Sequence, residues 1–481
     1  MCLPRHPAPR SWQRRARAGS LGAAEADGVR DGRRLRLGVA LVCVSFGVSA
    51  AHATDGGLPT GARAESLRDG SVDAQTLVLR APSAPTRAKR MYEPLVFPVL
   101  GNDPDLGFKF GIFSLLTKSE GEGKPFLWRL QFGCAFAAHE GATGLEVPYR
   151  QVLLQHDFRS ASGATLVSSD IGHARTTNLG YFGLGNTSPG TDGWRDLAPG
   201  SAAYVRARQF NQFDSSIYSA GVSIQHEISA GWRLHVGLRL YWTDLAPYAD
   251  SQLATDLRTD AHDGHRLFGL GPSFYPLLSA GVVRDTRDHE VAPTVGAWHE
   301  AILRCSPGGY GDGGWCGATV AVRGYRRLVG QYLTIAGRLL GDVLFGRPSF
   351  LELSRFGGLQ ASFGPGGGMG VRGVPQGRYH GRTKLIANVE LRSFFWKFRI
   401  AGQRVELGAA AFVDMGRVWT DTLTGVASLD GTGIGLHYGV GAGVRLRWGD
   451  AAVIRFDFAY SPVSAQLGSP IGFFADVAPV L

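Results

Sequence analysis

The sequence predicts an all-β protein, a closed antiparallel transmembrane barrel of about 16 strands, and three observations support this prediction. Apolar and polar residues alternate through most of the chain in segments long enough to cross a membrane. Glycine accounts for 68 of the 481 residues, roughly twice its usual share, which suits turns and crowded strands better than helices. The N-terminal part carries the pattern of a secretory leader.

The secretory leader is predicted from adjacent features near the N-terminus. An arginine-rich segment at 33–36 precedes the apolar run 37–51, and Ala51-His52-Ala53 fits the small-x-small pattern of signal-peptidase sites. The run of 15 residues is too short for a transmembrane helix, which needs about 20 residues. We therefore predict an N-terminal extension plus signal peptide that ends at Ala53.

The leader and its extension occupy 1–53, and the rest of the chain divides into two parts. Residues 54–90 are polar and rich in Gly, Ser, Pro and Arg, which predicts a disordered periplasmic lead-in. The barrel is expected over 91–481. No other segment has 18 consecutive apolar residues, so no transmembrane helix is expected in the mature chain.

The segment 232–242 illustrates the alternation. Every second residue from Trp232 to Trp242 is apolar, and the residues between them are mostly polar. Its 11 residues match the roughly 9–11 that a tilted strand needs to cross a membrane, with a tryptophan at each end for an aromatic girdle. Strands of a soluble sandwich would alternate too, but they usually have about 5–6 residues. A propeller or β-helix would show a fixed repeat of about 20–50 residues, and none is found.

About 16 strands are predicted, an even number as expected for a bacterial barrel. They lie near residues 106–116, 126–138, 147–158, 165–182, 202–212, 214–228, 232–243, 274–284, 296–305, 316–327, 332–346, 382–396, 403–418, 436–448, 451–461 and 470–481. The pair within 202–228 could also form a single strand. If the first strand rises from the periplasm, the glycine-rich segment 347–381 is an outer loop.

Three short motifs in the C-terminal part carry a family resemblance. In chain order they are Arg372-Gly373 in the glycine-rich segment, Asn388-x-Glu390-x-Arg392, and Phe412-x-Asp414-x-Gly416. In this order and at this spacing they resemble the signature of the BamA/TamA superfamily, also called the bacterial surface antigen family. The resemblance covers roughly residues 92–481.

The resemblance implies that the long outer loop folds back into the lumen and that its arginine pairs with the aspartate of a following strand. By alternation, Asp414, Asn388 and Glu390 all point inward. Arg372, on its flexible glycine-rich loop, could then reach an acidic lumenal cluster. Losing one partner of such a pair would cost roughly 3–5 kcal/mol if the site is dry. The alternative is that Arg372 is solvated and Asp414 merely lines a polar pore.

The sequence departs from the family pattern at both ends. Residues 54–90 are too short and too polar to hold the periplasmic modules that family insertases carry, so the resemblance is to members without them. The last strand ends Pro479-Val480-Leu481 instead of ending on an aromatic residue. Because proline removes a ladder hydrogen bond, the seam between first and last strands is expected to pair weakly. Either function or divergence of the terminus could be the reason.

The cysteines and histidines predict one disulfide and no metal site. Cys305 and Cys316 flank a short glycine-rich outer loop in an oxidising compartment, which favours a bond between them. Cys134 is left over and is interpreted as a small apolar residue. The cysteine spacing fits no zinc site and the 13 histidines are scattered, so neither a metal nor a cofactor is expected.

Composition and motifs argue against nucleic-acid binding and catalysis. The net charge of +10 comes mostly from residues 1–53, which hold nine arginines and three acidic residues, and the body has no basic patch. A Gly-x-Ser-x-Gly elbow, a Walker loop and a His-Glu-x-x-His motif are all missing, so an enzyme is not expected.

Two functions remain for a barrel in the bacterial outer membrane. The first is assistance of protein insertion into, or translocation across, that membrane, with a loop arginine locked to a strand aspartate. The second is a passive pore-forming or structural barrel without insertase activity. The expected surroundings are outer-membrane lipid and, for the first function, unfolded barrel proteins or a separate periplasmic helper. A monomeric barrel is expected in both cases.

Overall fold

The computed structural model describes residues 92–103, 106–119, 126–141, 144–188, 193, 196–259, 267–289, 292–309, 313–330, 332–400, 403–448, 452–465 and 470–476. Within these residues, 16 antiparallel strands close into one barrel, which confirms the predicted fold class. The predicted leader at 1–53, the predicted lead-in at 54–90 and the terminal residues 477–481 lie outside the described residues.

The barrel strands follow one another around the wall in chain order. They are β1 (Tyr92–Asp103), β2 (Gly107–Ser119), β3 (Phe126–Gly141), β4 (Gly144–Arg159), β5 (Thr165–Gly180), β6 (Gln212–Ser229), β7 (Trp232–Pro247), β8 (Gly271–Asp285), β9 (Gly296–Ser306), β10 (Trp315–Val329), β11 (Leu333–Gly346), β14 (Thr383–Ile400), β15 (Gln403–Trp419), β16 (His437–Trp448), β17 (Ala452–Tyr460) and β18 (Ile471–Asp476). A separate small sheet pairs β12 (Arg355–Phe356) with β13 (Ser362–Phe363).

Short helices lie in the connections between strands. They are α1 (Ala202–Gln209), α2 (Gln252–Thr259), α3 (Phe350–Leu353), α4 (Ala427–Asp430) and α5 (Pro462–Ala465). In the part of the chain that the structure describes, no helix has the length and apolar character needed to cross a membrane.

The alternation in β7 builds a wall that is apolar outside and polar inside. Val236 and Trp242 are 60% and 42% exposed on the outer surface, whereas His235 and Tyr241 are buried on the inner one. Exposed apolar side chains would be unfavourable in water, but they suit a surface that faces lipid. The length and polarity of β7 therefore agree with a membrane-spanning strand.

Connection length distinguishes the two ends of the barrel. The four longest connections lie at the same end, and they are 181–211, 248–270, 347–382 and 420–436. In outer-membrane barrels the long loops are extracellular and the short turns are periplasmic. The glycine-rich segment is therefore an outer loop, as predicted, and residues 347–382 are called the lumenal loop below.

The strand β1 was missed by the sequence analysis, which began its strands at 106. Pro94 and Pro98 argue against a strand, because proline cannot donate to a sheet ladder. In the structure β1 pairs with β2 along its whole length. Its other edge meets β18, where Asn102 lies opposite Ala475, and the residues after Asp476 lie outside the described part of the chain.

The predicted strand at 202–212 is wrong, because residues 202–209 form helix α1. The hydroxyl of Ser201 caps the helix by accepting the backbone N–H of Tyr204 at 3.1 Å. Arg206 and Arg208 lie in the last turn, where cations favour the helix dipole. Interleaved apolar and charged residues resembled strand alternation here, although Ala and Arg are strong helix formers. Because one predicted strand is a helix and one observed strand was missed, the predicted and observed numbers of barrel strands still agree.

Candidate functional site in the lumen and at the strand seam

The lumenal loop lies inside the barrel. Its C-terminal part, 364–382, is almost entirely buried, and Val371 and His380 have no exposed surface. The N-terminal part contains α3 and the β12–β13 sheet. The loop therefore fills part of the lumen instead of extending from the rim.

Glycines in the wall make room for the loop. A Cβ on Gly416 of β15 would lie 2.8 Å from the Val371 side chain, and a Cβ on Gly439 of β16 would overlap the carbonyl oxygen of Arg372. Gly373 has a φ of 89°, a conformation that other residues rarely adopt. The glycine two residues after Asp414 in the sequence motif thus has a steric reason, which is the close approach of the loop.

The guanidinium of Arg372 is the centre of the buried contacts. Its Nε and Nη2 donate to the two carboxylate oxygens of Asp414 at 2.7 and 3.0 Å. Its Nη1 donates to Glu390 at 3.2 Å and to Asp457 at 3.0 Å, and Cζ lies 3.3 Å from the centre of the Phe412 ring. Burial lowers the pKa of Arg372, but the surrounding carboxylates, Asp414 first, raise it above its ordinary value. The group therefore stays charged.

Asn388 of β14 joins the wall to the loop beside this arginine. Its Nδ2 donates to Asp414 at 2.7 Å and to the carbonyl oxygen of Gly370 at 2.8 Å. Its Oδ1 accepts from Nε of Arg338 at 2.9 Å, and Arg338 also donates to the carbonyl oxygen of Met369 at 2.6 Å. Asn388 of β14 and Asp414 of β15 therefore contact neighbouring residues of the lumenal loop, Gly370 and Arg372.

Three inward residues of β16 and β17 complete the cluster, and the sequence analysis did not select them as site residues. Arg445 donates to Glu390 at 3.0 Å and also to Asp457. Arg455 donates to Asp457 at 3.3 Å and to the carbonyl oxygen of Gly368 at 2.9 Å. Strand alternation is the signal that could have found them, because it places them on the polar face. The Arg372 cluster consists of Arg372, Asn388, Glu390, Asp414, Arg445, Arg455 and Asp457.

A second group of buried charges holds the start of the lumenal loop. Arg304 of β9 donates to both oxygens of Asp342 at 2.7 and 3.1 Å and to Glu352 of α3 at 3.2 Å. Nζ of Lys384 donates to the carbonyl oxygen of Glu352 at 2.9 Å and pairs with Asp342 at 2.9 Å. We call these four residues the outer anchor, since Arg304, Asp342 and Lys384 lie near the outer ends of their strands. No sequence motif had pointed to them.

His380 packs beside the outer anchor in an aromatic environment. Its ring stacks on Phe350 with 5.1 Å between centroids and meets Tyr181 edge-on at 5.0 Å. Both ring nitrogens are buried without a hydrogen-bond partner among the described residues. Burial, together with the nearby charge of Lys384, lowers the pKa of His380 to about 3. The imidazole is therefore neutral at physiological pH.

The seam between β1 and β18 closes the barrel. Asn102 lies opposite Ala475 in the register, and Nδ2 of Asn102 donates to the carbonyl oxygen of Phe473 at 2.8 Å. A Cβ on Gly101 would lie 2.6 Å from the carbonyl oxygen of Ala475, so glycine permits this close approach. Pro479, on which the expectation of a weak seam rested, lies outside the described residues.

The remaining predicted site residues fall into two groups. Cys305 and Cys316 lie opposite each other on β9 and β10 and are joined by a disulfide, and Cys134 is free and half-buried. The predicted cleavage residues Ala51 and Ala53 lie outside the described part of the chain. Among the described residues, no group of three His, Cys, Asp or Glu side chains could hold a metal ion.

Comparison with known proteins places this barrel in a family. The Omp85 superfamily domain matches residues 172–474. A search of the curated proteins gives no match.

Two solved structures are similar to this chain. BamA from Haemophilus ducreyi lacking POTRA domains 1–3 is 14% identical, with 80% of this chain and 70% of that chain covered and a TM-score of 0.48. CdiB from Escherichia coli is 12% identical, with 80% and 63% covered and a TM-score of 0.48, so the match spans less than two thirds of that protein.

The family match covers well over half of the chain and agrees with the resemblance that the three sequence motifs carried. Members of the family are transport or assembly barrels. The chain therefore belongs to the Omp85 superfamily and is an outer-membrane β-barrel.

Proposed function

We propose that this barrel assists the insertion of proteins into the outer membrane or their translocation across it. The observation that carries the proposal is the buried contact of the lumenal loop with β17, and through Arg455 with β18, the strand that closes the barrel against β1. At the seam Asn102 of β1 lies opposite Ala475 of β18, and opening there would leave the edges of both strands unpaired. An unpaired strand edge presents N–H and C=O groups that can bind a strand of another chain. The proposed substrate is therefore a strand of an unfolded barrel protein.

In this proposal the Arg372 cluster acts as a lock that couples the lumenal loop to the seam. Arg372 bonds to Asp457 of β17, and Arg455 on the same strand contacts the loop at Gly368. Arg455 also approaches Asp476 of β18, with 3.6 Å between Nη2 and Oδ2. Movement of the loop would thus change the contacts of the last strand, and opening of the seam would strain the lock.

A passive pore is the second candidate. A cavity of about 350 Å³ with charged and amide side chains lies beneath the lumenal loop, which supports the passage of ions or small solutes. The two candidates differ in what the seam must do. An insertase needs the seam to open sideways, whereas a pore works with the seam closed.

The experiment that separates them closes the seam covalently. The full chain, with Cys134→Ser, is reconstituted in liposomes, and the register partners Asn102 and Ala475 are both replaced by Cys. Directly opposite Cα atoms in an antiparallel pair are about 4.5–5.5 Å apart, within the range of a disulfide. The control pair, Asn102→Cys with Phe108→Cys, joins β1 to β2 in the same way.

We expect the unlinked barrel to accelerate the folding of a second, unfolded outer-membrane barrel added to the liposomes. The seam disulfide should abolish this acceleration, a reductant should restore it, and the control disulfide should leave it unchanged. Equal acceleration with the seam linked would contradict the proposal. Ion conductance without any acceleration would support the passive pore. Repeating the assay with a periplasmic extract tests for a separate helper protein.

A further inference from the structure

We infer that the lumen holds a binding site for an oxyanion, a phosphate or carboxylate group, between Arg323 of β10 and Arg338 of β11. This inference goes beyond the proposed function, because it concerns a ligand of the lumen and not the seam. The two arginines are register partners on neighbouring strands, and both line the cavity beneath the lumenal loop. Like charges directly opposite each other on adjacent strands are destabilising. An anion between them would convert this repulsion into attraction.

Arg323 brings a charge that the protein does not neutralise by direct contact. Among the described residues it forms no ion pair, and its Nε is buried without a hydrogen-bond partner. Glu300 of β9 exerts an electrostatic effect on it, but the Glu300 carboxylate accepts the backbone N–H of Leu359 at 3.3 Å. The side chain is therefore available to a ligand.

Arg338 is held in place but keeps donor capacity. Its Nε and Nη2 donate to Asn388 and to the carbonyl oxygen of Met369, as described above. Nη1 has no hydrogen bond among the described residues. Since an arginine presents its donors in a planar fork, a positioned guanidinium is suited to bind phosphate or carboxylate oxygens.

The same cavity has unpartnered polar atoms on β4, β6 and β7. Nε2 of Gln151, Oε1 of Gln225 and Nδ1 of His235 are buried without a hydrogen-bond partner among the described residues. The three side chains are only 1%, 8% and 6% exposed. Leaving such atoms unpaired costs free energy, so they indicate a ligand with hydrogen-bonding groups in addition to its anionic one.

The overall charge of the lining agrees with an anionic ligand. Among the described residues, seven basic and four acidic side chains line the cavity. The lining includes Arg287, which lies in the turn after β8 at the periplasmic end. The cavity therefore extends towards the periplasmic end of the barrel, and residues of the lumenal loop also line it.

The test is isothermal titration of the folded full-length barrel in a nonionic detergent at constant ionic strength. The probes are inorganic phosphate, succinate and, as a neutral polyol, glucose. The decisive variant is Arg323→Gln. The matched control is Arg326→Gln, which removes the same charge from an exposed position on the same strand.

We expect saturable binding of phosphate or succinate, weakened at least about tenfold by Arg323→Gln and unchanged by Arg326→Gln. Without anions, Arg323→Gln should unfold at the same temperature as the unchanged protein or higher, because the repulsion from Arg338 is relieved. If that variant does not fold, Arg323→Lys replaces it, which keeps the charge but loses the planar fork of donors, and unchanged anion binding in Arg323→Lys overturns the inference. Absence of saturable anion binding, binding of glucose alone, or anion binding insensitive to Arg323→Gln also overturns it.

Discussion

The Arg372 cluster and the outer anchor both hold the lumenal loop with buried charges, but they differ in which side supplies the cation. In the Arg372 cluster the loop supplies the arginine, and carboxylates of the wall receive it. In the outer anchor the wall supplies Arg304 and Lys384, and both already pair with Asp342 of the wall. Removing the loop cation would leave Asp414 buried without its bidentate partner, whereas removing Glu352 leaves the wall charges paired. How much each group of charges contributes to stability therefore depends on whether the remaining charges keep other partners, and not on burial alone.

The largest loss in the free energy of unfolding is expected from Arg372→Ala. The variant leaves the Asp414 carboxylate buried without its main partner, which should cost roughly 3–5 kcal/mol of the free energy of unfolding. The measurement is urea unfolding of the folded barrel, followed by its heat-modifiable migration. Arg326→Ala, at an exposed position, is the control and should behave like the unchanged protein. If Arg372→Ala and Asp414→Ala both leave folding unchanged, the lock does not exist.

His380, beside the outer anchor, is expected to make the free energy of unfolding depend on pH, with an effect of intermediate size. Its pKa is about 3 in the folded barrel and about 6.5 in the unfolded chain, so the unfolded chain binds a proton that the folded one does not. Its contribution to stability is fully present above about pH 6.5 and decreases by about 1 kcal/mol per pH unit as the pH falls towards 3. The Arg372 guanidinium stays charged over this range, because its pKa is raised.

Urea unfolding at about pH 7.5 and about pH 5 measures this difference, for which we expect a loss of about 2 kcal/mol from His380. His380→Phe keeps a stacked ring without the titrating group and should show a correspondingly smaller loss. An identical pH dependence in the two proteins would mean that His380 does not weaken the outer anchor on acidification.

The smallest effect is expected from Glu352→Gln. Arg304 and Lys384 keep their pairs with Asp342, so the variant should cost only about 1 kcal/mol. Glu390→Gln is the matched change in the Arg372 cluster. It weakens contacts with both Arg372 and Arg445 and should cost about 2–3 kcal/mol. Equal losses in the two variants would remove the distinction between the anchors.

Much of the fold could be predicted from the sequence, because strand alternation is a local property. The run from Trp232 to Trp242 indicates which side chains face lipid without reference to any other strand. The prediction of strands failed at β1 and at α1, where the local sequence pattern pointed to a different structure from the one that forms. Pro94 and Pro98 argue against a strand, yet both lie in β1, which pairs with β2 along its whole length. Helix α1 was mistaken for a strand although Ser201 offered a capping signal.

The four central residues of the Arg372 cluster were predicted because ordered motifs drew attention to Arg372, Asn388, Glu390 and Asp414. The other members needed the structure. Asp457 lies 85 residues from Arg372 along the chain, and nothing local relates the two.

The sequence alone therefore determined the strand character of the wall, its lipid-facing side and the loop arginine with its first acidic partner. Tertiary structure decided which inward charges meet, both in the outer anchor and in the opposed pair of Arg323 and Arg338. The physical reason is that alternation selects the face of a strand, whereas the register between strands far apart in sequence selects each neighbour.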